Sequence, residues 1–174
     1  MKKLFTLTLC TILAASSTIP VSAAIITRTK EPTTIKTNVQ ISNPFVDCKT
    51  LEEAGEIAGF SITAPKTLLK QYTNRSISAI KNDLIQITYT DEGENQTIQV
   101  RKSEGTDDIS GDYNHYTKIN HWSCKNYSIQ TKGDNHKIYV ATWTTKSKNP
   151  DTYSITSTQG LSKYALRTLI NQFN

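Results

Sequence analysis

Two hydrophobic periods divide the chain into elements. Leu51, Ala54, Ile57 and Ala58 recur at helical spacing, which predicts an amphipathic helix. Thr50, followed by Glu53, has the form of a capping box, with Asp47 as an alternative cap. Gly59 stands where a glycine ends a helix in the left-handed conformation. Phe60 to Pro65 alternates and predicts a short strand ended by proline. Between Lys66 and Asn82 the pattern is mixed. Leu68 and Leu69 fit a loop seated on a core, while Ile77 and Ala79 give period two to a strand within Tyr72 to Ile80. From Leu84 onward the period stays at two. Ile85, Ile87 and Tyr89 share one face of a strand, Asp91 to Asn95 supplies turn residues, and Ile98 and Val100 mark the returning strand of a hairpin. Further strands are expected over 116–122, 127–131, 137–145 and 152–158, with turns at Gly133 to Asn135 and Lys148 to Asp151. The 137–145 segment is apolar on both faces, as a central strand covered on both sides is. After Gln159 and Gly160, the residues Leu161, Ala165, Leu166, Leu169, Ile170 and Phe173 form a second helical stripe, with Ser162 at its cap.

A sheet with one apolar face needs cover, and the two helices are the only large apolar faces that can supply it. The expected fold is therefore α+β: a curved antiparallel β-meander sheet covered by an N-terminal and a C-terminal helix, forming a single domain over residues 43–174. Leu51, Ile57, Leu166 and Leu169 are expected to be buried against the sheet. No internal repeat is present.

The start of the chain follows a different pattern. Lys2 and Lys3 precede a mostly apolar run from Leu4 to Ala15, and Val21-Ser22-Ala23 offers small residues to a signal peptidase. Residues 1–23 read as a signal peptide. The run is shorter than the ~20 residues of a membrane span, and Cys10 lies within it without the small residues of a lipobox. The mature chain is thus expected to be secreted or extracytoplasmic and envelope-associated, with no transmembrane segment once the signal is removed. Residues 24–42 are rich in Thr, with Pro32 and several charges but no apolar period, and read as a flexible linker.

Charge excludes little beyond nucleic acid. Removing Lys2 and Lys3 from 20 basic residues leaves 18 against 15 acidic ones, a net +3. No basic run interleaved with aromatics accompanies it, so no nucleic-acid partner is expected. Cys48 and Cys124 remain in the mature chain. Two cysteines in an exported protein suggest one disulfide, which would close a loop of about 77 residues and contribute roughly 4 kcal/mol. Two unpaired buried thiols are the other reading.

The most distinctive insert runs from Arg101 to Asn114. Within it Asp107, Asp108, Asp112, Tyr113 and Asn114 form a candidate binding loop between Gly105 and Gly111. Their oxygens suit calcium, but the EF-hand order is missing, and Asp, Ser and Gly in a loop commonly bond their own backbone. Glycoside hydrolysis needs two acids across a cleft, which adjacent Asp107 and Asp108 do not supply by themselves. His121 and Cys124 lie three apart in a strand and so face opposite ways. With His115 and His136 they match no closed zinc spacing. No nucleophile elbow or phosphate-cradling loop occurs, so no metal or cofactor is expected. Trp122, Trp143, Tyr113 and Tyr116 could line a groove, although aromatics in a sheet more often pair across strands.

Several motifs together resemble a known family. They are Asn43-Pro44-Phe45-Val46-Asp47, then Leu51-Glu52-Glu53-Ala54, Ala58-Gly59-Phe60, Arg101-Lys102, Asp107 to Asn114, and Ala141-Thr142-Trp143. Over residues 43–174 the chain resembles exported clostridial-type proteins carrying the domain of unknown function numbered 4367. Many such proteins place the domain after a transmembrane segment, whereas the only apolar segment here is the signal. The resemblance names no catalytic residue. The resulting expectation is a monomeric, non-enzymatic binding domain whose partner is an envelope protein, a wall polymer or a lipid. The alternatives are a glycan hydrolase using acids near Asp107 to Asp112, and a carrier of apolar ligands.

Overall fold

The computed structural model describes residues 42–124 and 127–173. The expected signal peptide, and the linker apart from Ser42, lie outside the described residues.

Alternation along the strands builds one eight-stranded antiparallel sheet. Its strands are β1 (Val46–Cys48), β2 (Asn74–Ile80), β3 (Leu84–Asp91), β4 (Gln96–Glu104), β5 (Lys118–Cys124), β6 (Tyr127–Gly133), β7 (Ile138–Thr145) and β8 (Asp151–Leu161). Their spatial order is β1-β2-β3-β4-β8-β7-β6-β5. The chain therefore makes two meanders, β1–β4 and β5–β8, joined where β4 pairs with β8. Residues 105–117 carry it from the middle of the sheet to the far edge.

One cross-strand row shows how the sequence sorts the two faces. Cys48, Ile77, Ile87, Val100, Ile155, Ala141, Thr131 and Asn120 stand opposite one another across all eight strands. The adjacent row reads Asp47, Ser78, Gln86, Arg101, Ser154, Thr142, Gln130 and His121. A shift of one residue exchanges the apolar face for the polar one, because side chains alternate along a strand.

The helices pack on the apolar face. Helix α1 (Leu51–Ala58) starts at Thr50, whose hydroxyl accepts from the Glu53 N–H at 3.1 Å. The Glu53 carboxylate accepts in return from the Lys49 N–H at 2.7 Å, one residue before the usual partner in a capping box. Gly59 closes the helix at φ 87°, in the region that favours glycine. The helix contacts β1, β2 and β3. Ala54 and Ala58 are fully buried, whereas Leu51 and Ile57 are only partly so. Helix α2 (Lys163–Ile170) is capped by Ser162 and rests on β7 and β8. Leu166 and Leu169 are buried, and Phe173 beyond the helix meets Tyr89 edge-on at 6.4 Å. Removing such side chains from water supplies about 1.5–3 kcal/mol each.

Three expectations are corrected. The pairing of Cys48 with Cys124 is not formed, and Cys48 is a free thiol. Cys48 lies in β1 and Cys124 in β5, the opposite edges of the sheet, while a disulfide needs Cα atoms within ~7 Å. Phe60 to Pro65 is not a strand. Its carbonyls meet side chains on the apolar face instead of a neighbouring strand: Lys102 Nζ donates to Ser61 O at 2.8 Å, and the Tyr89 hydroxyl to Pro65 O at 2.6 Å. The strands do not follow one another as a single meander, because β4 lies beside β8.

Candidate functional site

The 105–117 segment lies as a strap over the polar face. Its entry is tied to β8: Gly105 N–H donates to Pro150 O at 2.8 Å, and the Thr152 hydroxyl donates to Gly105 O at 2.7 Å. Lys132 of β6 bridges to Asp108 at 3.1 Å. At the exit Tyr116 stacks on Tyr139 of β7, with centroids 5.9 Å apart. Beneath the strap the polar row is enclosed. The Thr142 and Ser154 hydroxyls are shut from solvent with no hydrogen-bond partner among the described residues, an arrangement that costs free energy.

The strap folds on its own acids. Asp108 Oδ1 accepts from the Ser110 N–H at 2.9 Å, and Asp112 Oδ1 accepts from both the Asn114 N–H and its side-chain amide. These are the local Asx bonds that such a composition favours. Burial pushes the Asp108 carboxyl up, but hydrogen bonds from Ser110, and then the Lys132 ammonium, outweigh it and hold the group below its ordinary value. Gly111 adopts φ 63°, and a Cβ there would stand 2.2 Å from the nearest guanidinium nitrogen of Arg101. The strap backbone therefore presses directly on that side chain.

Arg101 is the centre of the first pocket, a cavity of about 400 Å³ between the strap and the sheet. Phe45, Ile80 and Leu84 form its apolar wall; Asp108, Asp112 and Tyr113 stand on its strap side. Arg101 Nε donates to Gln86 Oε1 at 2.9 Å, and Nη1 donates to the Ile109 carbonyl at 3.0 Å. The guanidinium also lies over the Phe45 ring at 5.9 Å. It is half-buried, and burial pulls its pKa down. No carboxylate of the described residues forms an ion pair with it. A half-buried guanidinium without an anion is costly, and its planar fork suits a carboxylate or phosphate.

A second pocket of about 290 Å³ lies beyond Asp112, which lines both. Its wall includes Gln99, Asn114, Thr156 and the Tyr116–Tyr139 stack.

Of the candidate residues, Asp108, Asp112 and Tyr113 converge on the Arg101 pocket, with Tyr113 94% exposed at its rim. Asn114 lines the second pocket, and Asp107 is exposed and lines neither. Among the described residues no group of three or more His, Cys, Asp or Glu side chains is placed to hold a metal ion. Arg101, Phe45 and Tyr139 were not among the candidate site residues. Arg101 occupies the polar phase of β4, where a solvent-facing residue is expected, and only the strap encloses it.

Comparison with family models, curated proteins and solved structures finds no match. Among the described residues no helix is long and apolar enough to cross a membrane.

Proposed function

We propose that the mature chain works outside the cytoplasm as a binding domain of the cell envelope, and that it takes an anionic group of a wall polymer on Arg101. The observation that carries this reading is the half-buried guanidinium of Arg101, turned into a pocket with no carboxylate of the described residues paired to it. The signal-like start, from Lys2 to Ala23, supports export.

The two alternative functions find less support. The strap acids are engaged in folding the strap, with Asp108 bonded to Ser110 and Lys132 and Asp112 bonded to Asn114. Among the described residues the space beneath the helices is filled by Tyr89, Trp143, Tyr153 and Phe173, which does not favour a lipid carrier.

Sedimentation of the purified mature chain with isolated cell-wall polymer tests the proposal. The chain is expected to pellet with the polymer, and Arg101→Gln, checked for retained fold by circular dichroism, is expected to stay about tenfold more in the supernatant. Equal retention of both forms, or none of either, contradicts it.

A further inference from the structure

We propose that the second pocket beside the strap is a subsite for a neutral saccharide ring. The inference rests on the reading of the domain as a binder of wall polymer and names a chemistry for one part of its ligand.

The pocket holds enclosed polar atoms. Asp112 Oδ2 and Thr156 Oγ1 are shut from solvent; the Thr156 hydroxyl has no hydrogen-bond partner among the described residues, and the Asp112 carboxylate has the Tyr116 hydroxyl as its hydrogen-bonding neighbour. Both residues line this pocket. A buried hydroxyl without a partner costs free energy. A polyol suits both groups, because each hydroxyl donates one hydrogen bond and accepts others. The side-chain amides of Gln99 and Asn114, on the same wall, add donors and acceptors of the kind that read hydroxyl positions.

The remaining wall is aromatic. Tyr116 and Tyr139 stack at 5.9 Å with planes 22° apart, and both are partly exposed. Sugar rings present C–H groups on one face, and these pack against aromatic surface while the hydroxyls bond outward. Burial, followed by the neighbouring Asp112 carboxylate, pushes the Tyr116 phenol up to about 12, so it stays protonated and uncharged. Asp112 is the only charged side chain on the wall, which disfavours an anion. The number of hydroxyl and amide groups around it favours a polyol over a simple amine. The cavity of about 290 Å³ falls at the small end of ligand sites, in keeping with one ring of a longer glycan.

The test is titration of the purified mature chain with chitotriose, cellotriose and maltotriose, followed by two-dimensional amide spectra. Saturable shifts at residues 112–116 and 139 are expected with at least one of them. Tyr116→Ala is expected to weaken that binding about fivefold to tenfold. Thr156→Val removes a hydroxyl with no partner, so it is expected to leave the thermal midpoint unchanged or higher while weakening binding about threefold or more. Tyr164→Ala, at an exposed residue of α2, is expected to leave saccharide binding within about twofold, and inorganic phosphate is expected not to compete with the sugar, which separates this subsite from the anion pocket. No saturable shift with any of the three sugars overturns the inference, as does undiminished binding in Thr156→Val or saturation of the same residues by methylamine in place of a sugar. Wall retention that persists while all three sugars fail overturns the saccharide subsite alone.

Discussion

Lys102 and Asp151 form an ion pair of 3.2 Å across the β4–β8 joint, where the two meanders meet. Lys102 is only 8% exposed and stands on the apolar face. Its ammonium also donates to Ser61 O and lies over the rings of Phe60 and Tyr153, at 5.3 and 5.6 Å. The side-chain stem fills core space while the charged end is met by three kinds of partner.

Substitutions at the two ends of this pair should therefore differ. Asp151→Ala leaves a buried ammonium facing one carbonyl and two rings. Because the Asp151 side chain is about one-third exposed, 32%, the loss is expected to be about 1–2 kcal/mol rather than the larger penalty of a fully buried pair. Lys102→Met keeps the stem and removes the charge that needs a partner, and is expected to cost less than about 1 kcal/mol. Urea unfolding of both variants measures this, and a larger loss for Lys102→Met would contradict the assignment.

Acid should loosen the strap before the sheet. Asp108 is held below its ordinary pKa because its bonds to Ser110 and Lys132 outweigh burial. A carboxyl whose folded pKa is depressed contributes stability that is fully present above its unfolded value, near 4, and is lost as pH falls through the lower folded value. Hydrogen exchange corrected for intrinsic rate is expected to show the Ser110 amide, bonded to Asp108 Oδ1, losing protection below about pH 4 while the β3 and β4 amides keep theirs. Asp108→Asn should remove that pH dependence. Parallel loss of protection in strap and sheet would contradict it.

The free thiol of Cys48 gives a simpler test. Burial, followed by the charges of Glu53 and Asp47, raises its pKa, so the reactive thiolate is scarce at neutral pH. Digestion of the purified chain without reductant is expected to yield no peptide linking Cys48 to Cys124. Cys48→Ser is expected to move the thermal midpoint little, since the side chain is only partly buried. A linked peptide, or a marked drop in the midpoint on adding reductant, would contradict the edge-to-edge separation.

The parts of this fold governed by local rules were legible in the sequence. Thr50, Glu53 and Gly59 mark the ends of α1, Ser162 caps α2, and alternation finds every strand from β2 to β8. The pairing of β4 with β8 was not legible. It joins segments separated by the whole second meander, and nothing in the sequence between them specifies that contact. Strand β1 was missed because three residues carry too little period to detect. The strap acids were legible as a cluster, and Asp108, Asp112 and Tyr113 do gather at one pocket. Arg101 was not, because enclosure of a polar-face residue depends on a crossover that tertiary packing alone positions.

The anion pocket is tested most directly by following the Arg101 side-chain Nε–H and the strap amides while sodium acetate, and then inorganic phosphate, is added to the purified mature chain at constant ionic strength. Saturable shifts concentrated on Arg101 and on residues 109–113, absent in Arg101→Gln and retained in Lys118→Gln on the far edge strand, are the expected result. Shifts that fail to saturate, or that are identical in Arg101→Gln, would contradict an anion site between the strap and the sheet.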